Sequence, residues 1–522
     1  MNLETSQWTI RSTGLKTKTE PLSRLSIEHL WGLVVIAGIF IFVNTHPIRP
    51  FDFWWHIAAG RDLALTGHIP TVDNYSQTMS GTPYPAYQTY WLMEWILYQI
   101  YRLGGAPFII LFQSLIVTTT YALTLWLACQ RSGNWRSAAL ATLFTAALGI
   151  NDWNVRPQTI AFLIAAIFLN IIHMYHNRPR PWLLLSFPIG MLVWVNSHGT
   201  FPLGLALIGL WGAEQAWNAL TTRQWRSVRA PAIALSAAAL ACLLNPRGID
   251  VVQYVTFMTT SPVIQNLVTE WAAPTFDTLV GTLFLVGLLL SAAVLALSPK
   301  RPTPFQVLAF LAFGALGLKT LRGAIWFGLV MGPALAEHIT HIGISAHRYI
   351  NTLVHQRSSD TTTITKPKIQ VALNAVMVAI VLLGALSSLP WFKGLWPLSP
   401  EKAGLISAET PVKATEFLLQ ENLPGPVFHA MPFGSYLIWA AQPQYPVFVD
   451  PRIELYPPEL WLDYLYISAA TAGWEKQLQA YGIRTLMLSP QQQAGLVAAT
   501  YKSGQWEEVY RDSTSVILIR AD

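Results

Sequence analysis

Charged residues are scarce in this chain of 522 residues: they make up 11% of it, against 52% hydrophobic residues. A soluble domain carries about 25% charged residues, so this scarcity excludes an ordinary soluble protein and indicates an integral membrane protein. Cysteine is scarce too. Cys129 and Cys242 both lie in apolar segments, and no Cys or His cluster indicates zinc. The net charge of +6 comes without a basic run or a nucleic-acid motif, so nucleic acid is not an expected partner.

Long apolar runs are what the chain has in abundance. Crossing the hydrocarbon core of a bilayer takes roughly 20 apolar residues. About eleven transmembrane helices are predicted, at 29–45, 107–129, 135–150, 157–175, 181–195, 200–219, 228–244, 279–298, 304–319, 323–340 and 369–390. The third and fifth segments are weak, and re-entrant insertion is an alternative for both.

Basic residues alternate between the connecting segments. One set of loops and tails, from Arg11 to Lys368, holds 17 basic residues, and the opposite set holds seven. The positive-inside rule then predicts a cytoplasmic tail at residues 1–28 and a transmembrane domain at 29–390, with a polar cytoplasmic linker at 356–368. An odd number of spans puts the C-terminus outside.

Residues 401–522 alternate between helical and strand patterns. Strands are predicted at 426–430, at 445–450 and in "IRTLMLS", helices in "ETPVKATEFLLQENL" and "PQQQAGLVAATYKS", and a hairpin in "WEEVYRDSTSVILIR". The pattern predicts a small exterior α/β domain. Asp450 and Arg452 follow a predicted strand end, where they either bind a ligand or form a structural turn.

The first outer loop, residues 46–106, is long and begins with "PFDFWWHIAAGR". A helix over 52–65 places Asp52 and His56 on one arc with Ala59 and Gly60, which predicts that the acid and the imidazole face an open space. A second predicted helix carries Glu94 and ends at the glycine pair 104–105. Glu94 either faces a cavity or pairs with Arg102.

Polar residues recur in the other outer loops. Ionisable groups at membrane depth are costly, about 2.5–3.5 kcal/mol near the bilayer centre, so their repetition on one face predicts a shared aqueous cavity. They are Asp152 and Arg156 in the second loop, Asn196 and His198 in the third, Arg247, Asp250 and Glu270 in the fourth, and Lys319 and Arg322 in the fifth.

Taken together, these features resemble the GT-C superfamily of membrane glycosyltransferases: an acid after the first helix, a long first loop with two interfacial helices, and a C-terminal exterior α/β domain. More closely, the chain resembles bacterial membrane proteins with a D-x-W-W-H…G-R…G-x-I-P…D-x-x-S pattern. That pattern is formed here by Asp52, Trp54, Trp55, His56, Gly60, Arg61, Gly67, Ile69, Pro70, Asp73 and Ser76. The likeness covers most of the chain.

The resemblance implies roles for these residues. Asp52 matches the acid that deprotonates the acceptor or helps to hold a metal, whereas its residue type also suits a helix N-cap. Asp152 is a candidate to bind Mg²⁺ or Mn²⁺ with Asp52, although the chain lacks a D-x-D in the first loop. His56 is a catalytic candidate, and a buried structural histidine is the alternative. The substrate-binding candidates are Arg61, Asp73, Glu94, Arg156, Asn196, His198, Arg247 and Arg322. For the four arginines, ion pairing with Asp62, Glu270 or lipid headgroups is the alternative.

The function that this resemblance implies is a glycosyltransferase of the prokaryotic cytoplasmic membrane. It would move a sugar from a polyprenyl-phosphate carrier to a glycan, lipid or protein of the cell envelope at the outer face. A transporter or flippase of a lipid-linked substrate is one alternative, disfavoured because the charges lie at the outer rim and no repeat is seen. A non-catalytic scaffold is the other.

Overall fold

A computed structural model of the chain describes residues 27–354 and 367–521. The basic residues of the N-terminal tail and most of the predicted linker at 356–368 lie outside the described residues. The larger part of the fold is helical. Its helices are α1 (Ile27–Thr45), α2 (Phe53–Thr66), α3 (Ala86–Ser132), α4 (Trp135–Gly149), α5 (Thr159–Asn177), α6 (Ser186–Val195), α7 (Pro202–Thr222), α8 (Arg229–Ala241), α9 (Val251–Thr260), α10 (Pro262–Leu267), α11 (Leu279–Leu297), α12 (Pro304–Lys319), α13 (Gly323–Val354) and α14 (Pro367–Ser387).

Each of the eleven apolar segments coincides with one of these helices. Within residues 27–354 and 367–521, four helices are long and apolar enough to cross a membrane: α1, α3, α5 and α11. On α11, Leu289, Leu290 and Leu297 are 59–75% exposed, as expected for side chains that face lipid. The chain therefore has the helices of a membrane protein, and the number of eleven spans stays a prediction.

The first loop folds as its sequence predicts. Helix α2 begins directly after Asp52 and ends at Gly67, whose φ of 72° suits a glycine C-cap. Helix α3 is broken at Gly104 and Gly105, where the backbone leaves helical geometry and Gly105 has a φ of 63°. The predicted interruption at this glycine pair is therefore correct, and the helix resumes beyond it.

The C-terminal region adds six helices and four strands. The helices are α15 (Pro400–Ala403), α16 (Val412–Gln420), α17 (Met431–Ala440), α18 (Pro458–Ser468), α19 (Trp474–Ala480) and α20 (Ala494–Ser503), and the strands are β1 (Val427–His429), β2 (Thr485–Leu488), β3 (Trp506–Arg511) and β4 (Val516–Arg520). The sheet has the order β1-β2-β4-β3, with β1 parallel to β2 and the other pairs antiparallel. This is the predicted α/β arrangement, including the closing hairpin.

One predicted strand is wrong. Residues 445–450 do not join the sheet, because their backbone pairs with the first loop instead. Val447 bridges Ser76, donating its N–H to Tyr75 O at 2.9 Å and accepting from Gln77 N at 3.0 Å. An extended apolar segment needs a backbone partner, and the first loop provides one.

The first loop and the C-terminal domain share one hydrophobic core. That core includes Trp55, Tyr84 and Tyr87 from the loop and Phe448 and Leu486 from the domain. At its centre Arg452 binds Asp73 and Asp450 through Nη1 and Nη2, at 2.5 and 2.6 Å, with no side-chain exposure for any of the three. Buried charges persist only when they are paired, so this contact fixes the domain on the loop.

Candidate functional site

A cavity of about 630 Å³ lies between the helical bundle, the first loop and the C-terminal domain. We call it the interdomain cavity. Its walls come from the end of α1, the start of α2, the loops before α5, after α6 and before α11, the start of α13, and the segment before α18. Of the predicted site residues, it brings together Asp52, His56, Arg156, His198 and Arg322, and Glu270 lies with them.

Two arginines and two carboxylates form a continuous cluster on the cavity wall, which we call the arginine cluster. Arg156 donates from Nε to Asp52 Oδ2 at 2.9 Å, and from Nη1 to both oxygens of Glu270 at 2.7 and 2.9 Å. Arg322 donates from Nη2 to Glu270 at 2.6 Å. The buried Nε of Arg322 has no hydrogen-bond partner among the residues that the structure describes. Two guanidiniums on the wall of a cavity are suited to an anionic ligand.

Asp52 occupies the N-cap position of α2, yet its side chain makes no capping hydrogen bond. The carboxylate turns to Arg156 instead, and it stays 24% exposed. The Asp52 side chain therefore does not cap α2. Asp52 also lines the interdomain cavity.

The two arginines determine the charge state of Glu270. Burial alone would raise its pKa, but the Arg322 and Arg156 guanidiniums outweigh that effect and hold the pKa of Glu270 at about 2. Glu270 is therefore ionised at neutral pH and keeps both arginines oriented. Ion pairing of outer-loop arginines with Glu270 is one of the alternatives that the sequence predicts, and the structure shows it for Arg156 and Arg322.

Asp152 lies near the arginine cluster but does not line the interdomain cavity. Burial and then the neighbouring charge of Glu270 raise the pKa of Asp152 to about 7, against smaller opposing effects of Arg322 and Arg156. No ion pair of Asp152 occurs in the described part of the chain. A carboxyl group with this pKa takes up or loses a proton near neutral pH.

His56 lies between the cavity and a buried glutamate. Its Nδ1 is 2.9 Å from Glu94 Oε1, and the two side chains are 6% and 2% exposed. Burial, with the positive charges of His198 and Arg156 adding to it, holds the pKa of His56 well below its usual value. The imidazole is therefore neutral at physiological pH. Glu94 takes neither of the two predicted positions, since it neither lines the cavity nor pairs with Arg102.

Gly60 has a different role from the predicted one. A Cβ atom at this position would lie 2.1 Å from the backbone oxygen of Glu94, so Gly60 is where α3 packs against α2 and the space beside it is filled. Since His56 and Gly60 are four residues apart, they share a helix face. The missing side chain thus lets α3 come close enough for Glu94 to reach His56.

His198 contributes a second imidazole to the cavity. Its Nδ1 lies 2.9 Å from Thr200 Oγ1, and its ring is 5.4 Å from that of Tyr90. Burial and the charges of Arg322 and Arg156 hold the pKa of His198 well below its usual value. This second imidazole is also neutral at physiological pH.

Besides Glu94, four of the predicted substrate-binding residues lie away from the cavity, each with a structural partner. Arg61 donates to the Trp439 backbone at 3.0 Å and covers its ring, and Arg247 donates to Gln88 at 3.3 Å. Asn196 accepts from the Trp91 indole at 2.8 Å, and Asp73 is the buried partner of Arg452. The polar contacts of these four residues join separate segments of the fold.

Sequence reasoning missed one acid of the cavity. Glu454 reaches it from the C-terminal domain, and Tyr84 donates to Glu454 Oε1 at 2.6 Å. No local pattern marks Glu454, because only the docking of the domain on the first loop brings it there. For Arg452 the sequence predicts either ligand binding or a structural turn. In the structure Arg452 forms a buried ion pair with Asp450, as a structural turn requires.

A divalent metal does not fit this arrangement of side chains. In the described part of the chain no group of three or more His, Cys, Asp or Glu residues is placed to hold an ion. Asp52 and Glu270 are engaged by arginines, and Asp152 lies off the cavity wall. The metal site of Asp52 with Asp152 stays a prediction, and no step below passes through it.

Comparison with known proteins finds no matching family model and no matching curated protein. Among solved structures, the chain is similar to the archaeal oligosaccharyltransferase AglB from Archaeoglobus fulgidus in complex with an inhibitory peptide and a dolichol-phosphate. That match has a TM-score of 0.49 and 11% identity, and covers 95% of this chain and 74% of that one. The apo form of the same organism's oligosaccharyltransferase matches at a TM-score of 0.48 and 11% identity, over 89% and 70% of the two chains.

Proposed function

We propose that this chain is a membrane glycosyltransferase. It takes a sugar from a polyprenyl-phosphate carrier and passes it to a cell-envelope acceptor at the outer face of the prokaryotic cytoplasmic membrane. The observation that carries the proposal is the convergence of Asp52, His56, Arg156, His198 and Arg322 on one cavity. Its volume of about 630 Å³ lies within the roughly 300–1,000 Å³ of small-molecule sites.

The arginines supply the affinity for the carrier phosphate. Arginine's planar fork suits phosphate oxygens, and Arg322 keeps a donor without a protein partner. Glu270 holds both guanidiniums in place from the side. The phosphate of the bound carrier is expected between Arg156 and Arg322, where it leaves at the end of the reaction.

The acceptor needs a group that takes its proton. Asp52 and His56 both face the cavity close to the arginine cluster, and either residue type serves as a general base. We expect the Asp52 carboxylate, which lines the cavity, to accept a hydrogen bond from the acceptor hydroxyl.

The test is a transfer assay with purified protein reconstituted in vesicles. Labelled polyprenyl-phosphate sugars are supplied with crude envelope acceptors to the wild type and to Asp52→Asn. We expect transfer by the wild type and a loss of about 100-fold or more in the variant, with an unchanged melting temperature. Asp62→Asn, on the same helix and away from the cavity, is the matched control.

Two outcomes contradict the proposal. If every donor stays intact with the wild-type protein, the chain is not this transferase, and movement of the labelled lipid between leaflets then supports a transporter. If Asp52→Asn transfers sugar as fast as Asp62→Asn, the arginine cluster is not the reacting site.

A further inference from the structure

Arg49 is a cation of the cavity wall that has no carboxylate partner. Four arginines line the interdomain cavity: Arg49, Arg156, Arg322 and Arg452. The last three each bind at least one carboxylate, whereas Arg49 forms neither an ion pair nor a side-chain hydrogen bond among the residues that the structure describes. Because a guanidinium is always charged, Arg49 brings to the wall a positive charge that is free to bind a ligand.

The arginine cluster differs from Arg49 in this respect. Its two guanidiniums share their charge with two carboxylates, since Arg156 binds Asp52 and Glu270, and Arg322 binds Glu270. An anion that binds Arg49 competes with no such protein partner in the described chain. The wall therefore offers a further anion-binding group besides the arginine cluster.

Arg49 lies next to one end of the arginine cluster. The ion pairs of that cluster run in the order Asp52, Arg156, Glu270, Arg322. A second, smaller cavity is lined by Arg49, Asp52 and Arg156, but not by Glu270 or Arg322. Arg49 therefore adjoins the Asp52 end of the cluster, and Arg322 lies at the other end.

The backbone holds Arg49 in this place. The preceding residue, Ile48, is 1% exposed, donates its N–H to Leu405 O at 2.9 Å and accepts from Ser407 N at 2.8 Å. Pro50 follows Arg49 and restricts its backbone conformation. The Arg49 residue itself is exposed. Its backbone is therefore fixed while its side chain stays accessible to a ligand.

We propose that Arg49 binds an anionic group of the acceptor, so that this protein glycosylates acceptors with a phosphate or a carboxylate close to the reacting hydroxyl. The inference rests on the function proposed above and names the acceptor class of that reaction. The carrier phosphate is expected between Arg156 and Arg322, and the acceptor hydroxyl at Asp52. Arg49, beside Asp52, is then placed for the acceptor's own charge, and its planar fork suits either oxyanion.

Two sources of such an acceptor exist at the membrane surface. Helix α1 ends at Thr45, so Arg49 follows the predicted first span by four residues and is expected near the lipid headgroups. An anionic lipid reaches it from the bilayer, and an anionic glycan reaches it from the aqueous side. Both present an oxyanion near a hydroxyl, and the experiment below separates them.

The experiment uses the transfer assay in vesicles of phosphatidylcholine, which has no hydroxyl and no net charge. Envelope acceptors are extracted into lipids and water-soluble glycans, and each extract is separated by anion exchange into an anionic and a neutral fraction. We expect the wild type to transfer sugar to an anionic fraction, and the extract that holds it identifies the source. Arg49→Gln should raise the apparent KM for that fraction about 10-fold, with the KM for the donor unchanged.

Lys402→Gln is the matched control. Lys402 lies in the same region, because burial lowers the pKa of His46 and the charges of Lys402 and Arg49 lower it further, against the hydrogen bond to Phe42 O. Lys402 is exposed and does not line the interdomain cavity. Its replacement should leave both KM values as in the wild type. Equal effects of the two variants would mean that general surface charge acts, and the role of Arg49 is then overturned.

Two further outcomes overturn the inference and leave the proposed function intact. One is transfer by the wild type to the neutral fractions as readily as to the anionic ones, a result that holds even if Arg49→Gln fails to fold. The other is a raised KM for the donor in Arg49→Gln with an unchanged KM for the acceptor, which assigns Arg49 to the carrier phosphate. An inactive wild type rejects the proposed function, and the inference with it.

Discussion

Two arginine–carboxylate clusters adjoin the interdomain cavity, and they differ in burial. Arg452, with Asp73 and Asp450, has no side-chain exposure. In the arginine cluster, the exposures are 16% for Arg156, 20% for Arg322 and 24% for Asp52. Where water is excluded, arginine and aspartate hold the first loop and the C-terminal domain together. Where a cavity reaches them, they remain open to a ligand.

The two clusters also differ in how many of their guanidinium nitrogens have hydrogen-bond partners. Arg452 uses Nε, Nη1 and Nη2 on Asp450, Asp73 and Tyr87, and Tyr456 donates to Asp450 as well. Arg322 uses Nη2 and leaves its Nε without a partner in the described chain. The buried cluster is a saturated polar network, which stabilises a fold, whereas the arginine cluster lines the cavity and keeps one buried donor unpaired in the described chain.

The largest effect is expected from a substitution that breaks the buried cluster. Arg452→Met leaves Asp73 and Asp450 as buried charges without a cation, so we expect the free energy of unfolding to fall by about 3–5 kcal/mol. Thermal melting and limited proteolysis of the C-terminal domain measure this loss. The matched change Arg322→Met should instead abolish transfer with little change in melting. Equal destabilisation by the two variants would remove the distinction between the clusters.

A smaller effect is expected where the two helices of the first loop meet. Gly60→Ala places a methyl group 2.1 Å from the Glu94 oxygen, so α2 and α3 must separate. Overpacking of this kind costs about 1–3 kcal/mol, and the contact from Glu94 to His56 should lengthen. Melting temperature and transfer rate should both decrease. Gly38→Ala, with nothing within 4 Å of its Cβ position, is the control and should change neither.

A pH-dependent effect is expected at Asp152, the acid without an ion-pairing partner in the described chain. Burial raises its pKa from 3.8 to about 7, so the folded protein retains this proton up to neutral pH and the unfolded chain does not. This group therefore disfavours folding increasingly as the pH rises from about 4 to about 7. Asp152→Asn should melt as the wild type does near pH 4 and progressively higher than it up to pH 7, levelling off above that. An identical pH dependence for both proteins would contradict the raised pKa.

Much of the fold follows from local patterns. The apolar segments became helices because their backbone groups can be satisfied only within the segment when side chains face lipid. The break at Gly104 and Gly105 and the hairpin of β3 and β4 were also predictable, since each depends on neighbouring residues alone. The segment 445–450 failed for the opposite reason, because its backbone partner lies some 370 residues earlier in the chain.

Part of the candidate site also follows from the sequence, and part of it depends on the tertiary structure. The sequence by itself determined that acids, histidines and arginines gather in loops on one side of an apolar chain, because such groups are costly within a bilayer. Only the tertiary structure decided which of them share a cavity. Docking of the C-terminal domain buried Asp73 with Arg452 and brought Glu454 to the wall, and the close approach at Gly60 turned Glu94 toward His56. These are contacts between residues far apart in the chain, and no local pattern specifies their distances.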